Sequence, residues 1–431
     1  MTYEQILHYM FESLPMYQRI GKAAYKGDLE NAYELDKFSG YPHKAYKTIH
    51  VAGTNGKGSV SHMLASILQK AGYKTGLYTS PHLLDFRERI RINGEMIDKK
   101  YIIKFIQRNQ CFFELIKPSF FEMTVFMAFS YFKTEEVDVA IIETGLGGRL
   151  DTTNIITPIA SVITNIGMDH EQFLGNTIKL IAKEKAGIIK PMVPVIIGES
   201  TNESKGVFHA RCSLMESPLI QANEQYRFLS SHRTDRNTQL IQIKSSHGNL
   251  AYETDLLGHY QYQNLITCLT TLDVIADKFP VNNHHISEGF RTVMQTTGLQ
   301  GRWQIFSTNP LTVCDVAHNK DGLCLTLDQV SKTNYKKLHM VIGFVNDKNI
   351  AEILPLFPKE AIYYFTRASI ERAADPQEIM NLSSNFGLKG QVYENVEAAW
   401  CDAQKNAEKE DFIYIGGSTF VVADFLALQK K

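Results

Sequence analysis

The sequence predicts an α/β protein in two parts. The first is an N-terminal P-loop-type domain with a mostly parallel sheet and edge hairpins, and the second is a C-terminal Rossmann-like α/β domain. Three observations carry this. Short apolar, β-branched runs alternate with stretches of helical period, the pattern of parallel strands joined by crossover helices. A glycine-rich turn, GTNGKGS at 53–59, joins the first such run to a helix. The texture turns polar and alternating from about 200 to 260, then returns to β/α alternation after Arg302.

The elements follow in chain order. YKTIHVAG (46–53) is a β-branched run ending in glycine. Behind the turn, Val60, Met63, Leu64, Ile67, Leu68 and Ala71 recur at helical spacing until Gly72 stops the helix. YKTGLYTSP (73–81) is the next strand, and VDVAIIETG (137–145), IASVITNIG (159–167) and VPVIIG (193–198) follow. These are apolar almost throughout, as strands covered on both faces should be. The polar alternation of 226–258 reads as hairpins at the edge of this domain, and NLITCLTTLDVIADKF (264–279) as a helix. TTGLQGR (296–302) is the expected linker, which divides the chain into domains at 1–295 and 303–431. Four further strands, LTVCDVAHN (311–319), LHMVIGFVNDKN (338–349), AIYYFTRAS (361–369) and DFIYIGGS (411–418), build the second domain.

Composition narrows the function. Lys+Arg 45 against Asp+Glu 46 leaves a net charge of −1, so no basic stripe is available for nucleic acid or a membrane surface. The N-terminal 30 residues contain acidic residues and no long apolar run, so no signal peptide is expected, nor a membrane span anywhere. The six cysteines form no C-x-x-C pair and read as reduced thiols. A cytoplasmic, monomeric protein is expected.

The turn at 53–59 departs from the usual P-loop, which needs glycine where Val51 stands and a hydroxyl directly after Lys57; here Gly58 follows, then Ser59. It still offers backbone N–H groups, a helix N-terminus and a lysine to an anion. Three more segments each place a charge or a hard-metal ligand at the carboxyl end of a strand: Ser80 in TSPHLLDFRERIRINGE, Glu143 in ETGLGGRLDTTN, and His170 in NIGMDHEQFLGNT. Taken singly, Glu143 reads equally as a surface ion pair and His170 as a helix cap. Repeated along one sheet edge, they point to Mg²⁺ beside nucleotide phosphates.

The order of GTNGKGS, YTSPH, ETGLGGRLDTTN, DHEQFLGNT, EKAGIIKP, HYQYQN, GRWQ, DVAHN and GGST resembles the folylpolyglutamate synthase/dihydrofolate synthase family of the Mur ligases, over roughly residues 45–425. Val316 in DVAHN departs from the glycine more typical there. The resemblance implies an ATP-dependent carboxylate–amine ligase. It would join L-glutamate to 7,8-dihydropteroate, and to reduced folates, through an acyl phosphate.

By the same resemblance, Thr54, Asn55, Gly56, Lys57, Gly58 and Ser59 hold the ATP phosphates, and Ser80 and Glu143 hold one Mg²⁺. His170 holds a second Mg²⁺, with Lys185 as a CO₂-derived carbamate. Asn264 and Arg302 reach the nucleotide, Asp315 and His318 close over ribose and phosphates and orient glutamate, and Ser418 lies on the glutamate side. Phe121 stacks on the pterin and Asp151 accepts its N–H groups; read without the family, Phe121 is an ordinary core residue. Lys57, Lys185 and His318 are the expected catalytic residues. Lys183, Lys185 and Lys190, read alone, make a solvated helix face. The alternatives are an enzyme with only one of the two activities, a cell-wall muramyl ligase (for which the roughly fifty residues before the turn are too few to form the extra sugar-nucleotide domain) and a nucleotide-gated binding protein.

Overall fold

The computed structural model describes residues 1–12, 27–346 and 349–430; the 13–26 portion of the N-terminal stretch and positions 347–348 of the LHMVIGFVNDKN segment lie outside the described residues. The chain forms two compact units. One comprises Met1–His82, Phe86–Asp255 and Gln261–Leu299; the other comprises Leu83–Asp85, Leu256–Tyr260 and Gln300–Lys431. Two short excursions, 83–85 and 256–260, thus group with the second unit, a feature that no linker signal announces.

The first unit is built on an eight-stranded sheet. Its strands are β1 (Lys47–Ala52), β2 (Thr75–Tyr78), β3 (Ile90–Ile92), β4 (Glu95–Met96), β5 (Val139–Glu143), β6 (Ala160–Ile163), β7 (Val195–Ile197) and β8 (Leu219–Gln221), in the order β4-β3-β2-β5-β1-β6-β7-β8. From β2 to β8 every pairing is parallel. β3 and β4 add an antiparallel hairpin at the edge, turned at Asn93 and Gly94, both at positive φ. β2, β5, β6 and β7 are buried at every residue, which explains their unbroken apolar sequences. β1 is the switch point of the order: the chain leaves it for β2 on one side, while β6 to β8 lie on the other. The loop after it therefore opens where connections diverge, the place at which open α/β sheets admit ligands.

The Lys57–Lys70 helix is buried continuously from Gly58 to Leu68, because the sheet covers one side and the Gln261–Ile275 and Asn283–Arg291 helices cover the other. Ser66 Oγ donates to the Gly289 carbonyl at 2.7 Å, and His62 Nδ1 pairs with Thr297 Oγ1 at 2.8 Å. The Phe120–Thr134 helix starts at a capping box formed by Ser119 and Glu122 and packs its aromatic residues into the core over β2 and β5.

The polar stretch 226–258 does form hairpins. β9 (Arg227–Arg233), β10 (Gln239–Ser245) and β11 (Gly248–Thr254) make a separate three-stranded antiparallel sheet and do not extend the large one. Phe228 stacks on Tyr262 at 4.1 Å and Tyr252 meets Phe290, so this sheet is anchored on helices.

The second unit is a six-stranded sheet of β12 (Gln304–Thr308), β13 (Leu311–Cys314), β14 (Leu338–Ile342), β15 (Ile362–Phe365), β16 (Lys389–Val392) and β17 (Phe412–Gly416), ordered β12-β13-β17-β14-β15-β16. All pairings are parallel except that of β12. Met340, Tyr363 and Phe412 fill one face and Val341, Ile413 and Phe425 the other. Among the described residues no helix is long and apolar enough to cross a membrane.

Candidate active site

The loop after β1 has a shape that only glycine permits at two points. Gly53 sits at φ +150 and Gly56 at φ +84, and an added Cβ would overlap the Thr164 hydroxyl at the first and the Asn264 amide oxygen at the second. The ends of β6 and its following loop hold the turn. Thr54 N donates to Asn165 O at 3.0 Å, Asn55 N to Asn165 Oδ1 at 2.8 Å, and Thr164 Oγ1 to Asn55 O at 2.6 Å. Thr54 Oγ1 donates to Gly167 O at 3.1 Å and accepts from Gly167 N at 2.9 Å. Gln261 Nε2 donates to the buried Ser59 hydroxyl at 3.3 Å, and Asn264 Nδ2 donates to Gln261 Oε1 at 2.8 Å. The structure therefore brings Thr54, Asn55, Gly56, Lys57, Gly58, Ser59 and Asn264 together. Thr164, Asn165 and Gln261 were not foreseen. Gln261 carried a weak signal, since it lies one helical turn before Asn264.

Both candidate lysines turn on the Gly53 carbonyl. Lys57 Nζ donates to it at 3.0 Å and to Thr54 O at 3.1 Å, while Lys185 Nζ donates to it at 2.7 Å. Lys185 ends the Ile178–Lys185 helix and is buried. Burial brings its ammonium down to about 7; the Lys57 charge adds to this, and Asp169 and Asp151 oppose it. Lys183, on the same helix, is exposed, and Lys190 is half-buried with its amine on Asn154 O at 2.7 Å. The segment is thus three lysines in three environments, and the reading of it as a solvated face holds only for Lys183.

Glu143 is buried at the end of β5, beside the turn, and its Oε2 accepts the Ser80 backbone N–H at 3.1 Å. Next to it the buried Thr144 hydroxyl has no partner among the described residues. His170 stands on the loop after β6 at φ +52, with its Nε2 3.9 Å from Asp169 Oδ2. No group of three His, Cys, Asp or Glu side chains is poised for a metal among the described residues. A buried carboxylate beside an anion cradle suits Mg²⁺, which keeps several waters and takes other ligands from phosphates.

The loop 143–154 is fastened by Asp151. Its Oδ2 accepts from Gly145 N at 2.9 Å and Leu146 N at 2.8 Å; its Oδ1 accepts from Thr153 N at 3.0 Å and from the Thr153 hydroxyl. Burial raises this carboxyl, and the four donors counter that. His50, fully buried in β1 and kept neutral by burial at about 3, supports Thr153 through Nε2 at 2.9 Å. The Phe121 ring lies against Gly145, where a Cβ would come within 2.5 Å of it, and 6.1 Å from the Tyr78 ring. Nearby, Arg89 is a buried arginine that the sequence did not single out. Its Nε donates to His82 Nδ1 at 2.8 Å and its guanidinium lies 5.2 Å from the Phe120 ring centre.

In the second unit the adjacent ends of β13 and β17 gather Asp315, His318 and Ser418. Asp315 is buried, with Oδ2 accepting from Tyr260 OH and from Trp303 N, both at 2.7 Å, and Oδ1 accepting from Ala317 N at 2.8 Å. His318 Nδ1 lies 3.0 Å from Val316 O. Ser418 Oγ accepts from Phe420 N and Val421 N at 3.2 Å, capping the Thr419–Leu428 helix, and keeps its own hydrogen to donate. Arg302 directly precedes Trp303, whose φ is +47. Val316 packs against Gly301, where a Cβ would stand 2.8 Å from Val316 Cγ1, so the larger side chain is accommodated by a glycine.

A glycine cradle at the switch point of one α/β unit, joined to a second α/β unit, defines a Mur-type ligase. Accordingly, residues 51–272 match the Mur ligase middle domain and residues 301–419 the Mur ligase glutamate ligase domain. A dihydrofolate synthase/folylpolyglutamate synthase of Bacillus subtilis is 32% identical over 375 residues, covering 80% of this chain and 83% of that protein. A probable bifunctional folylpolyglutamate synthase/dihydropteroate synthase of Haloferax volcanii is 28% identical over 98% of this chain, which spans only 50% of that longer relative. The crystal structure of a bifunctional folylpolyglutamate synthase/dihydrofolate synthase from Yersinia pestis, complexed with AMPPNP and a Mn ion, aligns with a TM-score of 0.84 at 26% identity. It covers 100% of this chain and 98% of that one. The chain belongs to the dihydrofolate synthase/folylpolyglutamate synthase family.

Proposed function

We propose that the protein adds L-glutamate to 7,8-dihydropteroate and to reduced folates at the expense of ATP, by way of an acyl phosphate. The observation that supports the ATP-dependent step is the cradle itself: two glycines at positive φ with no room for a Cβ, and two lysine amines on the Gly53 carbonyl, with the buried Glu143 at the end of the neighbouring strand. The N–H groups of the turn and the Lys57 ammonium hold the phosphates and balance the charge that builds up as the phosphoryl group moves. No protein nucleophile is needed, because the substrate carboxylate attacks phosphorus and the glutamate amine then attacks the activated carbonyl. Positioning does the rest.

Mg²⁺, when bound, neutralises phosphate charge, and Ser80 and Glu143 are the residues that would hold it, with His170 and a carbamate of Lys185 serving a second ion. The buried Lys185 amine, held near neutrality, suits carbamate formation: the neutral nitrogen bonds to CO₂ carbon and releases a proton, so a cation becomes an anion. Phe121 and the Asp151-fastened loop line the pterin side. Asp151 has all four of its contacts inside the protein, so its part is to hold Gly145 and Leu146 in place for the substrate. In the second unit, Arg302 and His318 serve nucleotide and glutamate, with Ser418 contributing its hydroxyl hydrogen.

Phosphate release from ATP tests this reading. A ligase releases phosphate at full rate only when both a pteroate or folate acceptor and glutamate are present. Release or binding independent of both would instead identify a nucleotide-gated binding protein.

A further inference from the structure

Asp315 is held from inside its own unit. Its three donors come from three separate segments: Tyr260 from the 256–260 excursion, Trp303 at the start of the second unit's sheet, and Ala317 after β13. Each of the two backbone donors is the immediate neighbour of a residue assigned to the reaction: Trp303 follows Arg302, and Ala317 precedes His318. Trp303 is also a bulky residue at φ +47, a conformation that persists only where the surroundings hold it. Its ring is buried 6.2 Å from that of Phe412, and its N–H is held by the Asp315 carboxylate. The turn that aims Arg302 and the turn that aims His318 are therefore tied to one carboxylate. Of these three donors the Tyr260 hydroxyl is the one side-chain group, and its ring is itself packed over Gly258, where a Cβ would lie 2.6 Å away.

We propose that Tyr260 is a positioning residue for glutamate addition: its hydroxyl fixes the Asp315 carboxylate, which in turn fixes the backbone carrying Arg302 and His318. This rests on the reading that Arg302 and His318 serve the ligase reaction. Tyr260 touches neither substrate nor reacting atoms in this role; it acts through Asp315.

The test is a double-mutant cycle on purified full-length protein, with glutamate incorporation and apo thermal unfolding measured for each variant. Arg302→Ala and His318→Ala come first. If both keep full activity, the underlying reading of the site is wrong, whatever Tyr260 does. With both impaired, Tyr260→Phe, which removes a single oxygen, lowers kcat about tenfold in protein that stays folded at the assay temperature, its unfolding midpoint lowered by only a few degrees. The Tyr260→Phe/Asp315→Asn double variant is then no slower than Asp315→Asn alone, because the hydroxyl works only through that carboxylate. Wild-type kcat in Tyr260→Phe overturns the proposal. So do losses that multiply in the double variant, or a loss fully accounted for by a lowered fraction of folded protein.

Discussion

Replacing Gly53 by alanine strikes the point at which the cradle and both lysines meet. The new methyl overlaps the Thr164 hydroxyl, which must leave its 2.6 Å hydrogen bond to Asn55 O; that costs about 1 kcal/mol. A non-glycine residue at φ +150 adds about 1–3 kcal/mol. The folded first unit should therefore lose about 2–4 kcal/mol by these two terms, read from urea unfolding of the apo protein. The same shift moves the Gly53 carbonyl, on which Lys57 and Lys185 converge at 3.0 and 2.7 Å. A misplaced charged hydrogen bond is worth about 1.5–3 kcal/mol, which is about a 10- to 150-fold loss of turnover, measured as acceptor-dependent phosphate release. Gly72→Ala is the control. It too has positive φ, +90, but nothing lies within 4 Å, so it costs only about 1–2 kcal/mol and leaves turnover alone. Wild-type turnover and stability in Gly53→Ala would refute the reasoning that the site is organised around this carbonyl.

Other expectations follow from the same geometry. Lys57→Ala should abolish turnover while apo unfolding changes little, since its amine meets only loop carbonyls at 3.0 and 3.1 Å; a large loss of apo stability would make it a structural lysine. Lys185→Ala should lose most activity and regain part of it with acetate, whereas the exposed Lys183→Ala stays near wild type; near-normal turnover of Lys185→Ala in CO₂-depleted buffer would end the carbamate role. Burial pushes the carboxyls of Asp255 and Glu199 each up to about 7. Raised above their unfolded values, they bind more protons folded than unfolded, so their contribution to stability is present at acid pH and is lost as pH climbs from roughly 4 to 7. Urea unfolding across that window should show the decline, and Asp255→Asn/Glu199→Gln should flatten it. An unchanged slope in the double variant would assign the pH dependence to other groups.

The elements that could be read from sequence are those whose burial is uniform. β1, its turn and the helix after it are legible because a β-branched run, glycines and a helical period adjoin without interruption. β12 and β16 were missed, because no residue of either is fully buried and neither carries an apolar run long enough to stand out. The β3–β4 hairpin carried its signal in Asn93-Gly94, but the strands are too short to stand out. That β9–β11 would form a sheet of their own was not readable, because it depends on contacts such as Phe228 on Tyr262, between distant parts of the chain. The site divides in the same way. Glycine, lysine and carboxylate positions announce themselves by type and place, whereas Thr164, Gln261, His50 and Tyr260 act through partners far along the sequence. Lys185 was separable from Lys183 only by family likeness; the physical distinction, one amine buried and the other in solvent, appears only in the fold.

Incubation of the purified protein with radiolabelled L-glutamate, 7,8-dihydropteroate, ATP and Mg²⁺ tests the central claim most directly. The account predicts label in dihydrofolate, with one phosphate released for each glutamate incorporated and neither product formed when any one substrate is left out. Folded protein that transfers no glutamate to dihydropteroate or to any reduced folate at saturating ATP would contradict it.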